Sequence, residues 1–372
     1  MKPSSLENHH LGKTPRSARD GNCEGVRAQY KRAIRRKWLV VLAVAVVMLG
    51  LSLASLLAGS SDLSVGHVLA ALFGAGDDYT TAVVWKLRMP RVAIALLGGV
   101  ALALAGCTFQ GVLRNPLASA STLGIAQGAA FGAALSIIVV GAGGAAATYD
   151  GVNFDNPFLT AIFAFAGAMA STLVILGLSR LRDMTPESIV LAGVAISALF
   201  TGATALIQYF ADDAQVAAVV FWTFGDLGRV SGKELAICAV VVVASAVFFW
   251  ANRWNYNAMD MGDGSAHGLG VNVNRTRVAG MLVAAAASSC IIAFCGTINF
   301  VGLIAPHIMR RLVGSDFRYL LPASACAGAC VLLLSDLVAR LVMPPVILPI
   351  SAITSFIGAP LFLYLLMRGA HR

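Results

Sequence analysis

Long runs of apolar residues alternate with short polar stretches along almost the whole chain. Most runs are about 20 residues long, the length that a helix needs to cross the hydrocarbon core of a bilayer. The pattern predicts ten membrane segments, at residues 39–59, 92–113, 121–141, 158–179, 188–210, 232–251, 276–296, 302–313, 319–341 and 349–367. The predicted fold class is therefore an all-α polytopic membrane protein.

The eighth segment is the exception, because the apolar part at residues 300–309 is only about half of a spanning length. Pro306 and His307 interrupt this run, and Arg310 and Arg311 follow it directly. Polar or irregular backbone persists at membrane depth only inside a protein bundle or beside a water-filled cavity. We therefore expect a multi-helix channel or transporter, in which Pro306 and His307 serve packing.

Composition supports a membrane protein, and the distribution of charge orients it. Of the 372 residues, 58% are hydrophobic and 12% are charged, more apolar residues than one soluble core can bury. Residues 1–37 hold ten basic and three acidic residues, hence seven of the nine net positive charges. A basic stretch directly before the first apolar run keeps the N-terminus in the cytoplasm, which argues against a nucleic-acid partner. We expect this tail to be disordered.

The charges between the segments alternate as such a topology requires. Arginines occupy the loops that would be cytoplasmic, namely Arg114, Arg180, Arg182, Arg253, Arg275, Arg277, Arg310, Arg311, Arg368 and Arg372. Aspartates occupy the opposite loops, namely Asp77, Asp78, Asp150, Asp155, Asp212 and Asp213. An even number of segments, with both termini in the cytoplasm, fits this distribution best.

The sequence contains no motif for catalysis or for nucleotide or metal binding. A phosphate-binding loop, an HExxH motif and a nucleophile elbow are absent, and the seven cysteines lack CxxC spacing. We expect no catalytic residue, no metal site and no bound cofactor in this chain. Asp336 is the clearest acidic residue within a predicted segment, and an intrahelical pair with Arg340 accounts for it. An ion-coupled carrier would need more such carboxylates, and an intramembrane enzyme would need a partner for His307.

Gly124, Gly128 and Gly132 form two overlapping GxxxG steps on one face of the third segment. Glycine at this spacing lets two helices approach closely. The pattern predicts ordinary packing within a helix bundle. Packing beside a transport pathway is the alternative.

Three motifs in order resemble those of one transporter family. They are QGVLRNPLA at residues 110–118, GLIAPHIMR at 302–310 and ITSFIGAPLFLYLL at 353–366. The chain, over about residues 38–370, resembles the FecCD family of permease subunits of ATP-driven importers. That family imports iron-siderophores, haem and cobalamin.

The resemblance implies two inverted four-helix blocks, a homodimer of about 20 helices and a place in the bacterial inner membrane. It also implies two copies of an ABC ATPase subunit, which would use ATP and Mg²⁺, and an extracytoplasmic substrate-binding protein. Iron-siderophore is the expected cargo, with haem or cobalamin as alternatives and an oxyanion such as molybdate as a lesser option. An ion-coupled secondary transporter remains the rival mechanism.

The resemblance also implies roles for particular residues. The cytoplasmic loop at residues 252–277 is expected to dock on the ATPase, through Met259, Met261, His267, Gly268, Leu269 and Gly270. Three arginines at the outer face, Arg88, Arg91 and Arg340, are expected to pair with acidic residues of the binding protein, with a contribution from Lys86. Lipid headgroups are the alternative partners of these arginines. The expected pathway and gate residues are Thr185, Pro186, Glu187, Ser197, Gly202 and Ser355.

Overall fold

The computed structural model describes residues 16–58, 64–141, 146–148, 151–153, 156–181 and 185–369. These residues form fifteen α-helices: α1 Arg16–Leu57, α2 Val65–Leu72, α3 Asp78–Ala82, α4 Met89–Val112, α5 Ile125–Ala134, α6 Pro157–Leu181, α7 Pro186–Tyr209, α8 Asp213–Phe224, α9 Gly232–Ala251, α10 Arg253–Asp260, α11 Asp263–Gly268, α12 Val273–Cys295, α13 Val301–Val313, α14 Phe317–Leu341 and α15 Ile350–Gly369. Two π-helical turns, Val83–Arg88 and Leu135–Val139, extend the start of α4 and the end of α5.

Each of the ten predicted segments coincides with a helix, so the polytopic all-helical fold is confirmed. Among the described residues, seven helical stretches are long and apolar enough to cross a membrane, namely Gln29–Leu57, Asp78–Val112, Pro157–Ser179, Pro186–Tyr209, Gly232–Ala251, Val273–Cys295 and Phe317–Leu341. The third and eighth segments correspond to the shorter helices α5 and α13, and the apolar stretch Ile350–Tyr364 of α15 is also below this length. The number of spans and the side on which each terminus lies therefore remain predictions.

Besides the short helices α2 and α3, which lie between the first and second predicted segments, a helix and a hairpin of the described chain were not predicted. Helix α8 lies between the fifth and sixth segments and begins with a capping box, in which Asp212 and Gln215 bond reciprocally to each other's backbone. A short antiparallel hairpin pairs β1, Ala146–Thr148, with β2, Gly151–Asn153. Both interrupt loops that carry aspartates, where the apolar pattern gave no signal.

The basic N-terminal region differs from the disordered tail that the sequence predicted. Helix α1 begins at Arg16 and continues without a break into the first apolar segment. Lys and Arg have high helix propensity, and a helix already formed in the apolar segment extends at little cost. Residues 1–15 lie outside the described part of the chain.

Helix α4 forms the centre of the bundle and is buried along most of its length. It packs against α9, α12, α13 and α14. A Cβ added at Gly106 would collide with the backbone of Gly302 on α13, and one added at Gly99 would collide with that of Gly328 on α14. Small residues therefore allow neighbouring backbones to contact α4 directly.

Two of the three glycines of the third segment, Gly128 and Gly132, lie at close contacts with α6. A Cβ on Gly128 would collide with the carbonyl of Gly167 on α6, and one on Gly132 would collide with that of Phe163. Gly124 differs from the prediction, because it precedes α5 with φ +74° instead of lying on the helix face. There it lies against the hydroxyls of Ser171 and Ser197.

Candidate functional site

Two short helices follow α9 at the end that the charge distribution assigns to the cytoplasm. Helix α10 begins at Arg253, one residue after the end of α9, and α11 begins at Asp263. Gly262, with φ +111°, makes the turn between them, a conformation that residues with a Cβ rarely adopt. Residues 253–268 therefore form an ordered two-helix segment.

Helix α10 is held by buried contacts to α14. The Tyr256 ring packs on Phe317, with ring centroids 5.4 Å apart. Asn257 donates from Nδ2 to Asp316 at 3.0 Å and accepts from the backbone N–H of Phe317 at 2.8 Å. Burial raises the pKa of Asp316, but hydrogen bonds from Arg318 and Asn257 outweigh burial and hold that pKa below its usual range. This arrangement fixes α10 to the start of α14.

Met259 differs from its predicted place on the exposed coupling surface. The residue is 1% exposed and belongs to the main hydrophobic core. Because α10 is amphipathic and buries the face that carries Tyr256 and Met259, the next methionine, Met261, is left outside and is 72% exposed. Sequence alone did not show which methionine faced inward.

Helix α11 is held by one carboxylate between two arginines. Asp263 accepts from Arg114 Nη2 at 2.7 Å and from Arg277 Nη2 at 3.0 Å. Arg277 also donates from Nε to the carbonyl of Val112, the last residue of α4, at 3.1 Å. We call Asp263, Arg114 and Arg277 the inner cluster. It links α11 to the end of α4 and to α12.

Arg114 owes its position to a turn just beyond α4. Its φ is +44°, in the left-handed region that non-glycine residues rarely adopt. Asn115 follows and accepts from the N–H of Leu117 at 2.9 Å, and Pro116 prevents the helix from continuing. The QGVLRNPLA motif therefore forms the turn that presents a guanidinium to Asp263. The sequence did not predict a role for Asp263. Its position directly after a glycine, where an acidic residue often begins a helix, was the one available signal.

The remaining predicted coupling residues form the exposed tip of this segment. Leu269 is 66% exposed, and His267, Gly268 and Gly270 are exposed as well. Gly270 has φ +81°, which a residue with a Cβ rarely adopts. With Met261, five of the six predicted coupling residues are therefore exposed on this segment.

The predicted gate residues do not form one cluster of free polar groups. Thr185 caps the start of α7, where its hydroxyl accepts from the N–H of Ser188 at 3.4 Å. Ser197 donates to the carbonyl of Gly193 at 2.8 Å, and Ser355 donates to that of Ser351 at 2.7 Å. Both hydroxyls are thus satisfied within their own helices.

The other predicted gate residues lie at the ends and on the open side of α7. Pro186 occupies the first turn of α7 and Glu187 follows it. Gly202 has open space where a Cβ would be.

Arg88 and Arg340 are buried, Arg91 is nearly so, and all three bond inside the chain, in contrast to the exposed docking residues that the sequence predicted. Asp336 is fully buried on α14 and accepts from Arg91 Nε at 2.8 Å and from Arg340 Nε at 2.9 Å. The predicted pair of Asp336 with Arg340 is confirmed, and Arg91 is an additional partner. We call Asp336, Arg91 and Arg340 the outer cluster.

The end of α1 supplies the other bonds of these arginines. Arg340 donates to Ser55 Oγ at 2.6 Å and to the carbonyl of Ala58 at 2.8 Å. Arg88 donates to the carbonyls of Leu56 and Leu57 at 2.9 and 3.0 Å. The last carbonyls of a helix have no partner within it, so guanidinium groups placed there satisfy them and offset the negative end of the helix dipole.

A cavity of about 360 Å³ opens beside the outer cluster. It is lined by Arg88, Arg91 and Arg340, together with Tyr79 and the exposed Lys86. The arginines thus contribute positive charge to the cavity wall while they keep their internal bonds. Of the predicted docking residues, Lys86 has the side chain that is free to reach outward.

Pro306 and His307 occupy the middle of α13, as the packing prediction requires. Pro306 is buried within the helix. The His307 ring meets Phe362 of α15 edge to face, with centroids 6.3 Å apart. No group of His, Cys, Asp and Glu in the described part of the chain could hold a metal ion.

Comparison with known proteins gives a consistent result. Residues 45–368 match the FecCD transport family. A Methanocaldococcus jannaschii protein that carries the name of an ABC transporter permease is 48% identical over 340 residues, which is 91% of this chain and 97% of that protein. The hemin transport permease of Yersinia pestis is 35% identical over 291 residues (77% and 83%), and an Fe(3+)-citrate import permease of Bacillus subtilis is 35% identical over 336 residues (90% and 96%).

A solved structure agrees with these relatives. An ABC transporter assigned to the metal-chelate type, in an inward-facing conformation, superposes with a TM-score of 0.77 at 28% identity. The match covers 88% of this chain and 99% of that one. The helical arrangement described above is therefore that of a known importer architecture.

Proposed function

Because the chain belongs to the FecCD transport family, and so is a multi-pass permease subunit of an ABC importer in the inner membrane, we propose that it carries an iron-siderophore or a related metal chelate. Relatives named for iron chelates support this cargo, since they include permeases for Fe(3+)-citrate and iron(3+)-hydroxamate. Haem and cobalamin are the alternatives, because permeases for hemin and vitamin B12 are also similar to this chain.

The permease works as a homodimer in this proposal. Helix α7 leaves much of its apolar surface uncovered in the single chain: Leu191, Leu199 and Leu206 are each more than 60% exposed. Helix α15 likewise exposes Phe356 and Leu363. A second copy would cover these faces and place the pathway on the axis between the two chains, which agrees with the twofold symmetry of most homo-oligomers.

The two-helix segment α10–α11 is the observation that carries the coupling proposal. Buried contacts hold α10, the inner cluster holds α11, and the exposed tip around Met261 and Leu269 has no partner within the described chain. An ATPase subunit that binds this tip could pull on Asp263 and so on the ends of α4 and α12. Hydrolysis belongs to that subunit, and this chain is non-catalytic.

Docking of the binding protein is proposed at the outer cavity. Lys86 at its rim and the three arginines in its wall make it positive, which favours an acidic protein surface. Charge complementarity of this kind sets the register of docking and speeds encounter. The arginines of the cavity wall contribute through their electrostatic potential, while Lys86 contacts the binding protein directly.

Reconstitution tests the proposal. Vesicles that contain the permease, the ATPase subunit and the binding protein should accumulate labelled ferric hydroxamate only when ATP is present on the side of the membrane that carries the ATPase subunit. Labelled haem and labelled cobalamin serve as the competing cargoes. Uptake driven by a proton or sodium gradient without the ATPase would contradict the mechanism, and uptake of haem or cobalamin alone would contradict only the choice of cargo.

A further inference from the structure

A second cavity, of about 340 Å³, is lined by residues of α4, α9 and α14. Val100 and Leu104 of α4 form its floor, Val247 and Trp250 of α9 form one wall, and α14 forms the other. Helices α9 and α14 both pack on α4 but make little contact with each other. The gap between them leaves this part of α4 open, and we call it the inner groove.

Two alanines and a proline keep the inner groove open because their side chains are small. Ala246 faces it from α9, and Ala325 and Pro322 face it from α14. All of its lining side chains are apolar apart from the indole N–H of Trp250, so the groove suits a hydrocarbon chain and offers nothing to a polar solute. Trp250 is 42% exposed and stands at the cytoplasmic end, near the last residue of α9.

A cation lies directly beyond Trp250. The guanidinium of Arg253 stacks on the Trp250 ring, 4.6 Å from its centroid, and Nη1 donates to the Trp250 carbonyl at 2.6 Å. Arg253 forms no ion pair with a carboxylate in the described part of the chain. The groove therefore ends at a positive charge held in place by an aromatic ring.

Further aromatic and cationic side chains continue from Arg253 along the same end of the bundle. Trp254 lies between Arg253 and Arg318, at 5.9 and 4.8 Å from ring centroid to guanidinium carbon. Tyr319 follows, with Lys37 of α1 5.2 Å from its ring centroid. Arg318 is neutralised by Asp316, whereas Arg253 and Lys37 have no acidic partner among the described residues. Amphipathic rings and free cations at this depth mark a membrane interface facing anionic headgroups.

We propose that the inner groove binds one anionic phospholipid of the cytoplasmic leaflet. An acyl chain lies over Val100 and Leu104, and the phosphate lies against Arg253. The apolar lining of the groove matches the acyl chain of a phospholipid, and the unpaired Arg253 at its end matches the headgroup. This site does not depend on the cargo or on coupling. Because Arg253 is the first residue of α10, the bound lipid also steadies the start of the two-helix segment.

Native mass spectrometry of the detergent-purified protein tests the site, with dioleoyl phosphatidylglycerol and dioleoyl phosphatidylcholine as probes. The two lipids share their acyl chains and differ in headgroup charge. The wild type should retain one phosphatidylglycerol at a lipid concentration about tenfold below that needed for phosphatidylcholine, which corresponds to 1.4 kcal/mol. Arg253→Gln should remove this preference. Arg275→Gln, at an exposed arginine in the same loop, is the matched control and should keep it.

A second pair of variants tests the groove itself. Ala325→Trp fills the groove and should weaken retention of both lipids, while Val243→Trp, at an exposed site on α9, should not. Equal retention of the two lipids by the wild type, or equal behaviour of Arg253→Gln and Arg275→Gln, would overturn the proposal. So would efficient disulfide crosslinking of two copies through Val247→Cys, because the groove would then be covered by a second chain.

Discussion

The outer and inner clusters have the same chemistry in different surroundings. In each, one aspartate lies between two arginines and ties an end of α4 to another helix. Asp336 holds Arg91 at the start of α4, and Asp263 holds Arg114 just beyond its end. The aspartate side chain of the outer cluster is 0% exposed, while that of the inner cluster is 39% exposed.

This difference in exposure separates a fixed joint from one that can open. A buried carboxylate that loses a partner keeps an uncompensated charge in a medium of low polarity, so opening the outer cluster is costly. An exposed ion pair exchanges its partner for water at a cost of about 1 kcal/mol or less. We therefore expect the outer ends of α1, α4 and α14 to stay together through transport, while α11 can separate from α4 and α12.

Loss of the outer carboxylate should have the largest effect. Asp336→Asn leaves Arg91 and Arg340 without their shared counter-ion and should lower the free energy of unfolding by about 3–5 kcal/mol. Thermal unfolding in detergent measures the change. Asp226→Asn is the control, because Asp226 is 39% exposed and lies 3.3 Å from Arg91. A similar loss of stability in both variants would contradict the special status of the buried site.

The two methionines of the inner segment should differ next. Met259→Ala removes a buried side chain that fixes α10, and such truncations cost about 2–5 kcal/mol. Met261→Ala, at an exposed position, should leave unfolding unchanged. The same thermal assay compares them, and affinity for the ATPase subunit provides a second measurement. Met261→Ala should weaken that affinity, and equal unfolding temperatures for both variants would show that α10 is not anchored as described.

The sequence predicted the helices that carry the two clusters, but it predicted only one ion pair of the outer cluster and none of the inner cluster. Each of the ten apolar runs coincides with a helix, and the (i, i+4) spacing predicted the pair of Asp336 with Arg340. The partners of Arg88 and Arg91 lie far away along the chain, at Leu56 and Asp336. With those partners unseen, arginines at an outer helix end were interpreted as a docking surface.

The inner cluster was missed for a related reason. Arg114 was assigned only to the cytoplasmic side, because nothing local to QGVLRNPLA identifies Asp263 as its partner. Both methionines of the loop, Met259 and Met261, were predicted at the surface. The sequence did not show where α10 begins, and that point decides which side of the helix faces the core. Contacts with Phe317 and the end of α4 decide which face of this short helix is buried, and the periodicity of the sequence does not reveal such contacts.

Loss of the inner carboxylate should lower stability far less than loss of the outer carboxylate or truncation of Met259. Asp263→Asn keeps the volume of the side chain and removes its charge from Arg114 and Arg277. The free energy of unfolding should fall by about 1 kcal/mol or less. Urea or thermal unfolding in detergent can measure it beside Asp336→Asn. A drop as large as that of Asp336→Asn would mean that the inner cluster is a fixed joint too.

Salt should distinguish the clusters without any substitution. Raising ionic strength from about 0.05 M to about 0.5 M screens exposed pairs and leaves buried ones nearly unchanged. Backbone amides of α11 should then exchange with deuterium faster, while those at the end of α1 should not. Equal acceleration at both sites would remove the distinction between the clusters.

Coupling in the reconstituted importer tests the central claim most directly. The complex carrying Asp263→Asn should assemble with the ATPase subunit and hydrolyse ATP, but cargo imported per ATP hydrolysed should fall about tenfold, which corresponds to about 1.4 kcal/mol in a ratio of rates. Arg275→Gln should keep the wild-type ratio. An Asp263→Asn complex that imports as much cargo per ATP as the wild type would contradict the account.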